Sequence, residues 1–377
     1  MDGLVMNWRS AMMAMAVAVV LVCGIILWLR RTERASSFYL GIVLILAGCS
    51  MGPQIIGFAN GYDIWPWLTF FPLFDTELWV GPLLYLHADR LMRGGPLGWR
   101  KWLLLPGILQ TLYYCGAFIL PGLFDHEAKW EFTRAVHSPY IMPIESALAV
   151  AMLLWAIFMI WRMRRSYLEY LDQTQSAARD YDPVWLRNLI VGLVIAVILF
   201  GALEIMFLIA EQNYYQAFPV QLLLIGLMAW LGLDAAWRLT APFPKMAQAI
   251  NPPTLDVQDT QIGLAEMIDK KLRDQEWFLE SRLSIRDVAS RLGSNESYVS
   301  RAVNSGLGQS FNRYVNGLRV EYAKRLMRQT EQPILSIALD SGFNSKATFN
   351  CVFREIAGLT PPNSESLRTR KSPIFRK

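Results

Sequence analysis

Cysteine and histidine are scarce in these 377 residues, four of one and three of the other, and their placement excludes several chemistries. Cys23, Cys49 and Cys115 lie in separate apolar stretches, and Cys351 stands alone near the C-terminus. No pair has metal-ligand or disulfide-framework spacing, so neither a metal site nor a stapled fold is expected. His126 and His137, even with Asp125, match no ligand motif, and His87 reads as an interfacial side chain. Leu46-Ala47-Gly48-Cys49 resembles a lipoprotein cleavage box, but a complete hydrophobic run already precedes it, which argues against lipidation. A phosphate-binding glycine loop, a nucleophile with its base, and paired inverted halves are all missing, so no catalytic residue and no cofactor are expected. Charge is thin as well: 18% of residues are charged against 54% hydrophobic, more apolar than a soluble protein usually is.

The apolar excess is localised. Runs of about 20 residues, enough to cross a bilayer, fall at 10–29, 38–59, 70–86, 102–120, 139–161, 186–210 and 218–237. The third is interrupted by Asp75, Glu77 and Gly81-Pro82. Alternate loops carry the cations: Arg30, Arg31 and Arg34, then Arg90, Arg93, Arg100 and Lys101, then Arg162, Arg164, Arg165, Arg179 and Arg187, then Arg238 and Lys245. With seven spans, that alternation predicts a multi-pass protein of the bacterial cytoplasmic membrane, N-terminus outside and C-terminus in the cytoplasm. Trp65, Trp67, Trp102, Trp130, Trp161, Trp185 and Trp237 fall near span ends, as interfacial aromatics do. Glu77, Glu145 and Glu204 sit about 10 Å below the outer ends of their spans. A common depth suggests one polar sensor pocket for a cation, amine or proton; the alternative is that each carboxylate snorkels or bonds alone.

Beyond the last span the composition changes. Residues 1–244 hold 16 Lys+Arg against 17 Asp+Glu, 245–281 hold 4 against 7, and 282–377 hold 16 against 7, so positive charge concentrates at the C-terminal end. Thr240-Ala-Pro242-Phe-Pro244 and Asn251-Pro252-Pro253 end any continuing helix and mark a flexible linker over 241–260. Ile262, Leu264, Met267, Ile268 and Leu272 then space an amphipathic helix, followed by a corner at Trp277-Phe278-Leu279. Two offset copies of one pattern follow: Ile285, Val288, Ala289, Gly293, Tyr298, Val299 and Val303, then Ile334, Ile337, Ala338, Gly342, Phe349 and Phe353. An apolar face, a small residue, a glycine turn and a second apolar face are what a helix-turn-helix needs. The units fall at about 283–304 and 333–356, with Asn295 or Ser294 and Ser345 as N-caps, joined by a basic helix over 311–329. That helix would be about 27 Å long, close to one turn of duplex DNA. The residues left facing away from the apolar stripes are Ser297, Ser300, Arg301 and Asn304 in the first unit, Arg313 and Arg319 on the joining helix, and Lys346, Ala347, Asn350, Cys351 and Arg354 in the second. Arg301 is the best candidate for a bidentate contact to guanine.

Leu283-Ser-Ile-x-Asp-Val-Ala289, Ser297-Tyr-Val-Ser-Arg301, Gly308-Gln-Ser-Phe311, Arg319-Val-x-x-Ala323, Pro333-Ile-x-x-Ile337-Ala338-x-x-x-Gly342-Phe343 and Gly358-Leu-Thr360-Pro361 resemble the AraC/XylS family of transcription regulators. The resemblance covers about residues 261–367. It implies an all-α domain of two helix-turn-helix units bridged by a central helix, acting on promoters as an activator, with RNA polymerase within reach. The hydrophobic part, more vaguely, looks like the seven-span sensor of membrane-bound members. Ser364-Glu365 stands where the family tends to have Tyr-Arg, which changes packing and charge at the final helix; Cys351 stands where relatives carry a longer reader, so the second unit is expected to read bases weakly and touch mainly phosphates. The expected architecture is all-α: a membrane domain of about seven helices over 1–240, a linker over 241–260, a DNA-reading domain over 261–367 and a basic tail over 368–377. The expected partners are double-stranded DNA, the lipid bilayer, a second copy in a homodimer and an unknown small ligand or ion. Two alternatives stay open: a passive anchor for a constitutive DNA binder, and a multi-span transporter or enzyme with a regulatory tail.

Overall fold

The computed structural model describes residues 7–59, 76–119, 126–181, 184–209, 218–237, 243–246 and 258–361. Among them there is helix and turn but no strand beyond an isolated bridge between Gln175 and Ser284. The chain forms two compact units, Met1–Arg164 with Pro183–Lys245, and Arg165–Asp182 with Met246–Lys377.

The first unit begins with α1 (Trp8–Leu29), capped by the Asn7 side chain, which accepts from the Arg9 and Ser10 amides. Next come α2 (Arg34–Ser50) and α3 (Gly52–Phe58), parted only at Met51 ahead of Gly52-Pro53 within the expected 38–59 span. After them are α4 (Glu77–Met92), α5 (Leu105–Tyr114), α6 (His126–Phe132), α7 (Met142–Thr174), α8 (Val184–Ile209) and α9 (Phe218–Trp237). Among the described residues five helical stretches are long and apolar enough to cross a membrane: Trp8–Leu29, Arg34–Phe58, Thr133–Thr174, Ala178–Ala202 and Phe218–Trp237. The expected spans 70–86 and 102–120 are not among these five. Residues 70–75 lie outside the described residues, and α4 itself has only 16 residues. The 102–120 stretch is helical through Ile119 but changes geometry, with a 3-10 helix to Leu104, α5 from Leu105 and a π-helix at Cys115–Ile119.

Small residues let these helices approach closely. A Cβ on Gly41 would lie 2.7 Å from the Trp28 amide nitrogen and 2.8 Å from the Gly24 carbonyl oxygen, and one on Gly81 would lie 2.8 Å from the Met152 carbonyl. Backbone-to-backbone packing of this kind serves helices that gain nothing from burying apolar side chains, because their outer faces are apolar too. Met15, Val22 and Leu29 of α1, Ile198 of α8 and Leu223 and Trp230 of α9 are indeed exposed. The start of the expected linker is fixed rather than free. The Phe243 amide donates to the Glu33 carboxylate at 2.9 Å, and the Lys245 ammonium pairs with the same carboxylate and donates to the Leu91 carbonyl at 2.9 Å.

In the second unit α10 (Gln258–Asp274) starts inside the expected linker and ends before the 3-10 corner Trp277–Leu279. Then come α11 (Ile285–Arg291), α12 (Glu296–Arg301) with a π-helical continuation at Ala302–Gly306, α13 (Phe311–Gln329), α14 (Ile334–Asp340) and α15 (Lys346–Ala357). Each start has its local cause. Ser284 and Asp287 form a capping box, and the Asn295, Ser310 and Ser345 side chains accept the Ser297, Arg313 and Thr348 amides. Both turns close alike, with the Ser294 amide on the Ala289 carbonyl at 2.9 Å and the Phe343 amide on the Ala338 carbonyl at 3.1 Å, around Gly293 (φ 60°) and Gly342 (φ 84°). Ala289 corresponds to Ala338 and Gly293 to Gly342, but Val299 corresponds to Phe349, so the second turn carries one extra residue.

Two apolar cores share α13. Its first half gives Phe311, Val315 and Leu318 to a core with Val288, Val299 and Val303; its second half gives Val320 and Ala323 to a core with Ile337, Phe349 and Phe353. Each large side chain so buried contributes roughly 1.5–3 kcal/mol, which makes α13 the common wall of both helix-turn-helix units.

Candidate nucleic-acid interface

The capped helices α12 and α15 present the same kind of surface. In α12, Ser297, Ser300, Arg301 and Asn304 lie partly exposed while Val299 and Val303 are buried. In α15, Lys346, Ala347 and Arg354 are exposed, Asn350 and Cys351 are half-buried, and Phe349, Val352 and Phe353 point inward. Arg313, at the start of α13, is exposed as well.

The cations divide into two classes. Arg286 pairs with Glu296 at 2.9 Å, Arg291 grips Glu280 through two 2.7 Å hydrogen bonds while its guanidinium lies over the Trp277 ring, and Arg273 pairs with Asp269 at 2.7 Å. These tie the scaffold of the first helix-turn-helix together. None of the ion pairs among the described residues involves Arg313, Lys346 or Arg354. Positive charge without an internal partner is what neutralisation of phosphate calls for.

Arg301 is folded back on its own helix. Its Nε donates to the Ser297 carbonyl at 3.3 Å, its guanidinium stacks over Tyr298 at 5.0 Å, and one terminal nitrogen is buried with no hydrogen-bond partner. Arg319 departs from expectation altogether. It is 1% exposed, and it donates to the carbonyls of Phe278 at 2.7 Å and Glu280 at 2.6 Å and to the Ser176 hydroxyl at 3.0 Å. It is a structural arginine, not a DNA contact. Burial lowers its pKa to about 10, which still leaves it charged at neutral pH. The sequence placed it off the Leu318 stripe correctly; what it could not place is the turn of backbone carbonyls that covers that flank.

Glu77 lines a cavity of 200 Å³ with Val43, Ser50, Leu153, Phe200 and Met228. Glu145 accepts the Tyr114 hydroxyl at 3.0 Å, and His137 sits beside it, 3.0 Å from the Tyr113 hydroxyl and 3.4 Å from that of Tyr114. The Glu204 and His126 side chains lie outside the described residues. Among the described residues no group of three or more His, Cys, Asp or Glu side chains could hold a metal ion.

Residues 288–363 match the helix-turn-helix domain family. The C-terminal region is a helix-turn-helix domain. An uncharacterized HTH-type transcriptional regulator of Staphylococcus aureus (strain COL) is 34% identical over 79 residues, 21% of this chain and 11% of the relative. The melibiose operon regulatory protein of Escherichia coli (strain K12) is 26% identical over 96 residues, 26% of this chain and 32% of the relative. The chain thus covers no more than a third of these relatives. No solved structure matches.

Proposed function

We propose that the chain is a membrane-bound one-component transcription regulator that reads promoter DNA through both helix-turn-helix units. The observation that carries the reading is the pairing, in one polypeptide, of two capped helix-turn-helix units with five helices long and apolar enough to cross a membrane. Ser297, Ser300, Arg301, Asn304, Lys346, Ala347, Asn350 and Arg354 form the reading surface, Arg313 meets phosphate, and Cys351 adds an apolar contact. Arg301 reaches a base edge by leaving Tyr298, a move its unpartnered nitrogen favours. The protein acts as a homodimer in the cytoplasmic membrane, N-terminus outside, with the reading heads in the cytoplasm and RNA polymerase as a neighbour at the promoter.

The membrane half senses a cation or amine from the outer side. Support comes from Glu77 in its cavity and from the Glu145, Tyr114 and His137 group. Unchanged signal response in Glu77→Gln, Glu145→Gln and Glu204→Gln variants overturns that part.

The test of DNA reading uses the full chain in detergent, offered a pool of random duplexes. Selection of one consensus, with affinity that falls steeply as salt rises, is the expected result. Equal binding to every duplex, or to none, overturns it. Arg301→Ala should relax preference at one base position by about 1–3 kcal/mol.

A further inference from the structure

The DNA-reading unit contains a piece of chain that comes from far upstream. Residues 165–182, the end of α7 and the turn after it, belong to it, although 63 residues separate them from its next segment. Tyr167 and Leu171 of α7 are fully buried, as are Ser176 and, nearly so, Ala177.

The turn touches three parts of the reading unit. At its centre the Ser176 amide donates to the Leu283 carbonyl at 3.0 Å, just before the capping box of α11, and Gln175 bridges to Ser284. The Ser176 hydroxyl accepts from Arg319 at 3.0 Å, and its carbonyl accepts from Asn312 at 2.8 Å and Asn316 at 3.3 Å, all on α13. At its far end the Asp180 carboxylate accepts from Asn344 and from the Thr348 hydroxyl at 3.2 Å, and Arg179 pairs with Glu355. Thr348 and Glu355 lie along one flank of α15, the second reading helix, beside its exposed Lys346, Ala347 and Arg354. One short turn therefore holds the entry to the first helix-turn-helix, the shared wall and the second reading helix.

The two grips differ in kind. Around Ser176 the contacts are buried and fully hydrogen-bonded, which makes that end a fixed pivot. Arg179 and Asp180 are exposed, and exposed ion pairs are individually weak. Between the ends lies a cavity of 280 Å³ lined by Asp172, Arg179, Asn312, Arg313 and Glu355, so the outer end has room to shift without unpacking the inner one. α7 runs unbroken from Met142 to Thr174, and the membrane-long stretch Thr133–Thr174 includes it.

We propose that residues 165–182 form a clamp that sets the position of the second reading helix relative to the first, and that α7 is the lever through which the membrane half opens or closes it. Arg179 and Asp180 are the releasable jaw, and Ser176 with Arg319 is the hinge. The proposal rests on the DNA-reading function but goes beyond it. It assigns the coupling route, which helix counting cannot reveal.

The experiment uses the full chain in lipid nanodiscs, with its four native cysteines changed to serine and spin labels at Ser290→Cys on α11 and Asp340→Cys at the end of α14. Pulsed electron resonance should give one narrow distance. Adding Arg179→Ala and Asp180→Ala should broaden the distribution at least twofold while circular dichroism stays unchanged. An oxidised Asp180→Cys, Asn344→Cys pair, with the spin labels attached through a non-cysteine chemistry, should narrow it again. Equal widths in all three forms overturn the clamp. A second arm takes a duplex selected by the full chain and inserts one base pair between its two half-sites. The intact clamp should lose more than tenfold in affinity and the jaw variant less than threefold; equal losses also overturn it. If no duplex is selected, the DNA-reading function fails, and the distance measurement still decides the clamp.

Discussion

At the scale of single residues, two arginines that look alike in sequence have opposite duties. Arg319→Ala leaves the carbonyls of Phe278 and Glu280 and the Ser176 hydroxyl without their donor, and each stranded buried acceptor costs about 1–3 kcal/mol. The expected loss is about 3 kcal/mol or more, read as faster hydrogen exchange through α13, whereas Arg301→Ala should leave exchange unchanged. Gly293 and Gly342 make a second contrast. Both have positive φ, so alanine at either strains the backbone by about 1–2 kcal/mol. At Gly293 a Cβ would meet nothing within 4 Å, but at Gly342 it would lie 2.6 Å from the Leu279 carbonyl oxygen, so Gly342→Ala should cost clearly more in a thermal melt. Titration supplies a third. Burial pushes the Asp269 carboxyl up, but hydrogen bonds from Tyr314 and Arg273 and the charge of Arg273 outweigh it and hold the pKa below its ordinary 3.8. Its contribution is therefore complete above pH 3.8 and is lost as pH falls through the lower folded value. Asp269→Asn should flatten the acid limb of unfolding below about pH 4 and leave the neutral limb's slope alone.

At the scale of elements, local signals were legible and distant ones were not. Asn295 and Ser345 declare their helices because a cap acts within three residues, and the structure places both as expected. Ser345→Ala should cost about 1 kcal/mol, measured as the exchange rate of the first turn of α15. The alternation of Ile285, Val288 and Ala289 with polar neighbours likewise sufficed to find α11, because one face of a short helix meets one core. The first unit was harder to read. Hydropathy marks where apolar chain lies but not its helical geometry, and the 102–120 run passes from a 3-10 helix through α5 to a π-helix that no composition foretells. Gly41 and Gly81 look like ordinary small residues until the opposing backbone is seen within 3 Å of where a Cβ would stand. The three carboxylates were aligned by depth along their spans, but depth fixes height and not azimuth, so the hydrogen bond from Tyr114 to Glu145 was not legible there.

At the scale of the whole chain, the domain boundary is the feature least visible in sequence. Charge and proline content mark a clean break near residue 245, which suggests that the C-terminal region can be cut free there. The contacts of Ser176 argue otherwise, since a fragment of 246–377 would lack the partners of Asn312, Asn316 and part of Arg319. Arg319 would keep the carbonyls of Phe278 and Glu280 and lose the Ser176 hydroxyl, and the flank now covered by Tyr167 and Leu171 would open to water. These three hydrogen bonds to Ser176 alone, at about 0.5–1.5 kcal/mol each, amount to about 1.5–4.5 kcal/mol, a large fraction of what a domain of this size has. The cut fragment should therefore melt well below a version in which 165–181 is joined to 246–377 through a flexible glycine-serine tether, and its protease sites should open first around Phe278 to Leu283. Equal melting of the two would mean that the reading unit is complete without the upstream turn. The turn would then be a passenger on a domain that stands alone.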